Sequence, residues 1–293
     1  MKSGFVAILG RPNVGKSTLL NAMLSKKVSI VSPKAQTTRD AICGIYEEKD
    51  LQIVFVDTPG IHRGDRKLDS HMRRSAFSSS RDVDAILYLL DASEKDMEPD
   101  LKIIASIDSE APRIFVLNKI DLVRPEIGQQ KIATLKEQYP DSLIIEASLK
   151  ENFGLKEIKE AVVPLLSGEA PFYPSDMITD KDMSYQAKEV IREKMLHFLR
   201  DEIPHSAAVK VDRFVSAKDG IVIDATILLD KESHKGIVIG KGGSMIKKIS
   251  MAARQELERM WHEHIAALTL EVEVDPGWRD SMKKLIEVGY GDR

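Results

Sequence analysis

The stretch Gly10-Arg11-Pro12-Asn13-Val14-Gly15-Lys16-Ser17 constrains this chain more than any other. It fits the pattern G-x-x-x-x-G-K-[ST], a glycine-rich turn that wraps its backbone around phosphate oxygens. The flanks agree with that use. Phe5-Val6-Ala7-Ile8-Leu9 is a short apolar run that predicts a buried strand. Thr18-Leu19-Leu20-Asn21-Ala22-Met23-Leu24 predicts a helix with its apolar residues on one side. A strand, a glycine loop and a helix in that order aim successive N–H groups and the helix N-terminus at negative charge. Lys16 then reaches the β- and γ-phosphates of a nucleotide, and the Ser17 hydroxyl meets Mg2+.

Composition narrows the class. With 293 residues there is room for two domains, and 43% hydrophobic with 30% charged residues describes a folded chain without disordered bias. The net charge of −3 requires any nucleic-acid binding to come from a local basic patch. The single cysteine, Cys43, excludes an intramolecular disulfide framework and a cysteine-rich zinc site, and reads as a small buried thiol in a strand. The start is too short in apolar residues for a secretory signal, and no apolar run reaches the roughly 18 residues of a membrane span. A cytoplasmic protein is expected.

The polar segment Ser32–Asp40 lacks periodicity and predicts a loop, before a strand over Ala41–Glu47. Such a loop can fold over a nucleotide and offer the Thr38 hydroxyl to Mg2+ when a γ-phosphate is present. A strand over Gln52–Val56 ends in Asp57-Thr58-Pro59-Gly60. An aspartate at that strand end holds Mg2+, usually through water, and Gly60 can present its N–H to the γ-phosphate. Ile61 follows, and an isoleucine cannot hydrogen-bond the attacking water. Slow turnover is expected, helped by K+ near Asn13 or by a partner. Gly64–Ser80, rich in Arg, Asp and Ser, reads as a second switch leading into a helix. His62 and His71 show no metal-ligand spacing and are expected to be solvated.

A strand over Ala85–Leu90, a helix over Pro99–Ser109 and a strand over Arg113–Leu117 lead to Asn118-Lys119-Ile120-Asp121. The Asp121 carboxylate can accept from both guanine N1–H and the 2-amino group, donors that adenine does not offer in that arrangement. Asn118 and Lys119 brace the loop and pack on the ring. The motif selects GTP where the phosphate loop alone leaves ATP open. A strand over Leu143–Glu146 leads into Ala147-Ser148-Leu149-Lys150, whose backbone can close over the base, and a helix follows over Leu155–Leu166. Alternating strands and helices predict a mainly parallel sheet with helices on both faces.

A connector rich in Gly and Pro begins at Ser167 and runs to about Met183. Beyond it the pattern predicts a helix (Ser184–Glu202), two strands (Ala207–Phe214 and Ile221–Leu229) and the stretch Gly236-Ile237-Val238-Ile239-Gly240-Lys241-Gly242-Gly243. Then come a helix capped by Ser244 and running to His264, with the stripe Ile246, Ile249, Ala253 and Leu257, a strand over Leu268–Val274 and a helix over Arg279–Val288. Trp261 and Trp278 read as packing residues. His262 and His264 diverge on the helix and are given no metal.

The elements Gly10–Ser17, Thr38, Asp57–Gly60, Asn118–Asp121 and Ala147–Lys150 resemble the motifs of a translation-factor-class GTPase. Within that class, Gly-Arg-Pro-Asn-Val-Gly-Lys-Ser-Thr-Leu-Leu-Asn and Gln-Thr-Thr-Arg resemble the Era family, which also carries an apolar residue where Ras-like proteins have Gln. One departure is Ala147-Ser148, where that family usually reads Ser-Ala. The second half resembles the second topological type of the KH domain, whose G-x-x-G loop clamps about four nucleotides. Here that loop is Gly240, Lys241, Gly242 and Gly243. Lys247, Lys248 and Arg254 extend a basic face, and Ile237 and Ile239 floor the groove.

The resemblance implies an α/β P-loop G domain over 1–167, a linker over 168–183 and an α+β type II KH domain with a C-terminal helix over 184–293. It implies nucleotide contacts from Gly10, Arg11, Pro12, Asn13, Val14, Gly15, Lys16, Ser17, Thr18, Asp57, Thr58, Pro59, Gly60, Ile61, Asn118, Lys119, Ile120, Asp121, Ala147, Ser148 and Leu149. Mg2+ falls to Ser17, Thr38 and Asp57, and the hydrolytic roles to Lys16, Thr38 and Gly60. The ligands implied are GTP, GDP and Mg2+, with K+ near Asn13. The implied partners are the 3′ end of 16S ribosomal RNA and the 30S subunit, for a monomer that associates peripherally with the inner membrane. Two other readings remain. A metabolic P-loop hydrolase is opposed by Asn118–Asp121 and by the lack of a second substrate site. For a signalling GTPase whose C-terminal domain binds protein, an RNA pull-down decides.

Overall fold

Apolar runs of four to nine residues, each followed by a polar turn and a helix, build the first sheet. In the computed structural model, which describes residues 1–34, 36–61 and 66–290, these runs become β1 (Lys2–Gly10), β3 (Leu51–Asp57), β4 (Ala85–Asp91), β5 (Arg113–Asn118) and β6 (Leu143–Glu146), paired in parallel. β2 (Ile42–Glu48) joins antiparallel to β3, giving the order β2-β3-β1-β4-β5-β6. Every position of β3 and β4 is buried, as strands covered on both faces require.

One face is covered by α1 (Lys16–Leu24) and α5 (Leu155–Val162), through Leu19, Leu20, Met23, Ile158 and Val162. The other is covered by α3 (Glu98–Ala105) and α4 (Pro125–Gln138), through Ile104 and Leu135. A further helix, α2, spans Lys67–Ser78. The registers matter most for function. Ile8 pairs with Asp57, Gly10 with Leu89, Asp91 with Asn118 and Leu117 with Glu146, so the polar motifs all leave the sheet at its carboxyl edge. Strand order reverses between β1 and β4, where open α/β sheets bind ligands.

Several expectations are corrected. α3 stops at Ala105, short of the predicted Ser109, because the Arg113 guanidinium takes the carbonyls of Ile104, Ile107 and Ser109 and holds the chain in a turn. α4 went unforeseen: few of its residues are buried, so its apolar stripe is faint. α5 gives way after Val162 to a short turn over Val163–Leu165, where Pro164 has no N–H to continue the ladder. Cys43 is half-buried on the antiparallel strand rather than buried. His71 is half-buried rather than solvated, and His62 lies outside the described residues.

Two units divide the chain, one of 1–29, 38–63 and 72–180, the other of 30–37, 64–71 and 181–293. The segment after α5 belongs to the first. Ser3 and Gly168 exchange backbone hydrogen bonds of 3.0 and 2.8 Å, and the Gln52 amide oxygen accepts from the N–H groups of Phe172 and Tyr173. Ile45 N–H donates to Ile178 O at 2.8 Å, and Cys43 N–H to Asp180 Oδ1 at 2.9 Å, so the connector lies along the free edge of β2.

In the second unit, β7 (Ala207–Ala217) and β8 (Gly220–Leu229) form an antiparallel hairpin, and β9 (Ile265–Val274) pairs parallel to β8. Ile221, Ile223, Ala225, Ile227 and Leu229 share the buried face of β8. Against it pack α6 (Met183–Phe198), through Ala187, Ile191 and Met195, and α8 (Ser244–Trp261), through Ile249, Ala253 and Leu257. Ile246 is only half-buried and lies outside this stripe.

α6 ends short of the predicted Glu202, with Leu199 already extended and Asp201 left-handed at φ 52° ahead of Pro204. α8 ends at Trp261 because His262 turns left-handed at φ 55°. Ser244 is the first helical residue rather than the cap, which is Gly243. The last helix, α9, is only Met282–Glu287, after a short turn over Trp278–Asp280. Trp278 is fully buried, its indole N–H donating to Ser206 O at 3.1 Å, and Trp261 donates to Gln186 Oε1 at 2.9 Å. α7 (Glu232–Ile239) precedes the second glycine loop.

Candidate nucleotide site and nucleic-acid interface

The turn between β1 and α1 is shaped by close approach. Gly15 has φ 110°, and a Cβ there would lie 2.3 Å from Asn118 Nδ2. Asn118 is itself held, donating from Nδ2 to Val14 O at 2.8 Å and accepting at Oδ1 from Leu149 N–H at 3.0 Å. One side chain thus ties the phosphate loop, the end of β5 and the turn after β6 together. Lys16 lies back over the loop, its Nζ donating to Gly10 O at 3.1 Å and Arg11 O at 2.8 Å. Burial lowers its pKa to about 8, against the opposing charges of Asp57 and Asp100. A buried cation hydrogen-bonded to carbonyls is one that phosphate oxygens can claim.

Ser17, Thr38 and Asp57, far apart in sequence, converge. Asp57 Oδ2 accepts from Ser17 Oγ at 2.7 Å and from Thr38 Oγ1 at 3.5 Å, and the two hydroxyls lie 2.9 Å apart. Ser29, which the sequence did not mark, also donates to Asp57 Oδ2, at 2.8 Å. Burial raises the Asp57 carboxyl pKa above the usual range, with the Lys16 charge and the three hydroxyls opposing it. Its other oxygen, Oδ1, is buried with no hydrogen-bond partner among the described residues. A lone buried carboxylate oxygen beside two hydroxyls fits a hard cation that keeps several waters, as Mg2+ does. Among the described residues no group of three or more His, Cys, Asp or Glu side chains could hold a metal.

Thr58 Oγ1 donates to Ile8 O at 2.7 Å, fixing the turn after β3 against β1. A Cβ on Gly60 would lie 2.8 Å from the Pro12 backbone. Ile61 is buried and donates its N–H to Gly10 O at 3.3 Å, so no polar side chain stands at this position. On the base side, Lys119 is left-handed at φ 64° and its Nζ meets Asp91 Oδ2 at 2.5 Å. Ser148 Oγ donates to Asp121 Oδ1 at 2.6 Å. The swapped order Ala147-Ser148 therefore keeps a hydroxyl on the Asp121 carboxylate, while Ile120 N–H donates to Ala147 O at 3.3 Å.

The second glycine loop is open. Gly240, Gly242 and Gly243 have φ of 74°, 59° and 77°, and a Cβ at Gly242 or Gly243 would meet nothing within 4 Å. Lys241 and Lys247 are exposed. Lys248 is exposed too, with its Nζ 4.3 Å from the centroid of the Phe198 ring. Arg254 Nε lies 3.3 Å from Glu258 Oε1. Ile237 is 53% exposed and Ile239 half-buried, so apolar surface adjoins the loop.

A family model described as a 50S ribosome-binding GTPase matches residues 5–119, and a KH domain model matches residues 202–279. Among curated proteins, GTPase Era of Caldanaerobacter subterraneus subsp. tengcongensis is 45% identical over 294 residues, covering 99% of this chain and 98% of that one. GTPase Era of Lacticaseibacillus paracasei is 41% identical, covering 99% and 97%. Two crystal structures align over 100% of both chains with a TM-score of 0.95 and 37% identity. One is an Aquifex aeolicus Era variant bound to GDP·AlF4−; the other is Era in complex with MgGDPNP and nucleotides 1506–1542 of 16S ribosomal RNA.

Proposed function

This chain belongs to the GTPase Era family, and from that premise we propose that it is a GTP-driven switch that binds the 3′ end of 16S ribosomal RNA and acts in assembly of the 30S subunit. The observation that supports this reading is the pairing, in one chain, of a close-packed G-x-x-x-x-G-K-S loop braced by Asn118 with an open G-x-x-G loop at a helix N-terminus. A relative of the same architecture has been crystallised with such an RNA and MgGDPNP. Residues 1–167 would carry the nucleotide, 168–183 connect, and 184–293 hold the RNA.

Lys16 would leave the carbonyls of Gly10 and Arg11 for the β- and γ-phosphates. Ser17, Thr38 and Asp57 would hold Mg2+, which supplies positive charge beside the phosphates. Gly60 would offer its N–H to the γ-phosphate, and Asp121 would read guanine while Ala147, Ser148 and Leu149 close over it. With Ile61 unable to orient water, we assign that role to K+ near Asn13 or to a partner. Equal hydrolysis rates in Na+ and K+ buffers would remove the cation from this scheme. Gly240, Lys241, Gly242 and Gly243 would follow the RNA backbone, with Lys247, Lys248 and Arg254 beside it. We place this work in the cytoplasm. Among the described residues no helix is long and apolar enough to cross a membrane.

The test is binding of a labelled oligonucleotide from the 16S 3′ end, with GDP and then with a non-hydrolysable GTP analogue. Tighter binding with the analogue, lost in Gly242→Asp, supports a GTP-gated RNA clamp. Binding that ignores both nucleotide and substitution would assign the second unit another partner.

A further inference from the structure

The Asp57 carboxylate is held by more than the residues that would touch the metal. Ser29 is 1% exposed and donates its hydroxyl to Asp57 Oδ2 at 2.8 Å, the same oxygen that Ser17 uses at 2.7 Å. Ser29 is in turn fixed from α1. Asn21 Oδ1 accepts from the N–H groups of Val28 and Ser29 at 2.8 and 2.9 Å, and Asn21 Nδ2 donates to Ser29 O at 2.7 Å. Three hydrogen bonds from one amide leave the Ser29 backbone little freedom, and its hydroxyl inherits that order.

We propose that Ser29, locked by Asn21, is a positioning residue that pins Asp57 Oδ2 and so reserves Oδ1 for the magnesium shell. A buried carboxylate held by a single donor can rotate, and rotation spoils it as a metal partner. Ser17 has one proton to give, and Thr38 reaches only 3.5 Å. Thr38 also sits on the loop expected to engage Mg2+ only with a γ-phosphate present. Ser29 hangs from a helix and keeps its donor in place whichever nucleotide is bound. Its contribution is therefore largest with GDP, where Thr38 is withdrawn. This inference rests on the assignment of Mg2+ to Ser17 and Asp57 made above.

The experiment follows release of a fluorescent GDP from the full chain into excess unlabelled GDP, across a Mg2+ titration and in EDTA. For Ser29→Ala the Mg2+ concentration that half-suppresses release rises by about tenfold, the usual scale for loss of an outer partner of a metal ligand, while the EDTA rate stays within about twofold. An unchanged Mg2+ midpoint overturns the proposal. So does equal acceleration with and without Mg2+, which marks general damage to the pocket. Ser17→Ala serves as reference and shifts the midpoint further than Ser29→Ala. If Ser17→Ala leaves the midpoint in place, the magnesium assignment itself is wrong and the role of Ser29 falls with it.

Discussion

The chain carries two glycine loops, each opening onto a helix N-terminus, and they are built in opposite ways. Around Gly10–Ser17 the protein closes in: Asn118 leaves no room for a Cβ at Gly15, the Pro12 backbone leaves none at Gly60, and Lys16 fills the hollow with its own ammonium group. Around Gly240–Gly243 a Cβ at Gly242 or Gly243 would meet nothing within 4 Å, and Lys241 and Lys247 are exposed. The first is a close-walled cradle, suited to one discrete ligand. The second is an open rail, suited to a polymer that enters from one side and continues past. The same backbone chemistry, N–H groups and a helix N-terminus suited to phosphate, is available to both. What differs is how much protein surrounds it.

If the first loop is a cradle, its selectivity resides in the wall that reads the base, and Asp121→Asn breaks it hardest. An amide presents a donor where guanine N1–H also donates, so GTP affinity falls on the order of a thousandfold. Xanthosine triphosphate, which carries a carbonyl in place of the 2-amino group, then binds better than GTP. Competition binding with the two nucleotides checks both halves.

One substitution made in both loops sharpens the contrast. Gly15→Ala forces a Cβ to 2.3 Å from Asn118, at a φ that alanine rarely adopts. Moving Asn118 would release both Val14 and Leu149. Nucleotide affinity should drop about a hundredfold, close to 3 kcal/mol. Gly242→Ala meets nothing and pays only for its left-handed backbone, about 1–2 kcal/mol. RNA affinity should fall by about fivefold to thirtyfold, with nucleotide binding untouched. Isothermal titration of each variant with GDP and with the RNA oligonucleotide gives the comparison directly. Equal losses would mean that the second loop is not the open rail described.

The cradle was largely legible in the sequence and the rail less so, for a physical reason. Gly10–Ser17 and Asn118–Asp121 are contiguous strings whose chemistry is local, and the expected brace role of Asn118 is met by its bonds to Val14 and Leu149. Ser29 was invisible. A serine between Val28 and Ile30 carries no signal, and its meaning appears only when the fold sets its hydroxyl 2.8 Å from Asp57 Oδ2. Asn21 read as one more residue of a helix. α4 was missed because its buried stripe is sparse, and the ends of α3, α6 and α8 were overrun because side chains elsewhere, or left-handed residues, stop them. On the rail, the sequence treated Lys241, Lys247, Lys248 and Arg254 alike. The fold separates them by what already holds each charge.

That separation yields the smallest and most discriminating effect. Lys241 is exposed within the open loop, whereas the Lys248 ammonium sits 4.3 Å from the Phe198 ring centroid and Arg254 is paired with Glu258. A cation resting on an aromatic face gains roughly 0.5–1 kcal/mol there and must give that up to reach a phosphate. Lys241→Ala should therefore weaken RNA binding by about threefold to fivefold and lower the slope of log K against log salt by about 0.7, the value for one phosphate contact on a single strand. Lys248→Ala should change affinity by less than about twofold and leave the salt slope unchanged, while lowering thermal stability slightly through the lost contact with Phe198. The salt slope decides between the two lysines because packing losses do not release counterions. If Lys248→Ala lowers the slope as much as Lys241→Ala, RNA draws Lys248 off its aromatic seat, and the rail extends from the loop onto the first turns of α8.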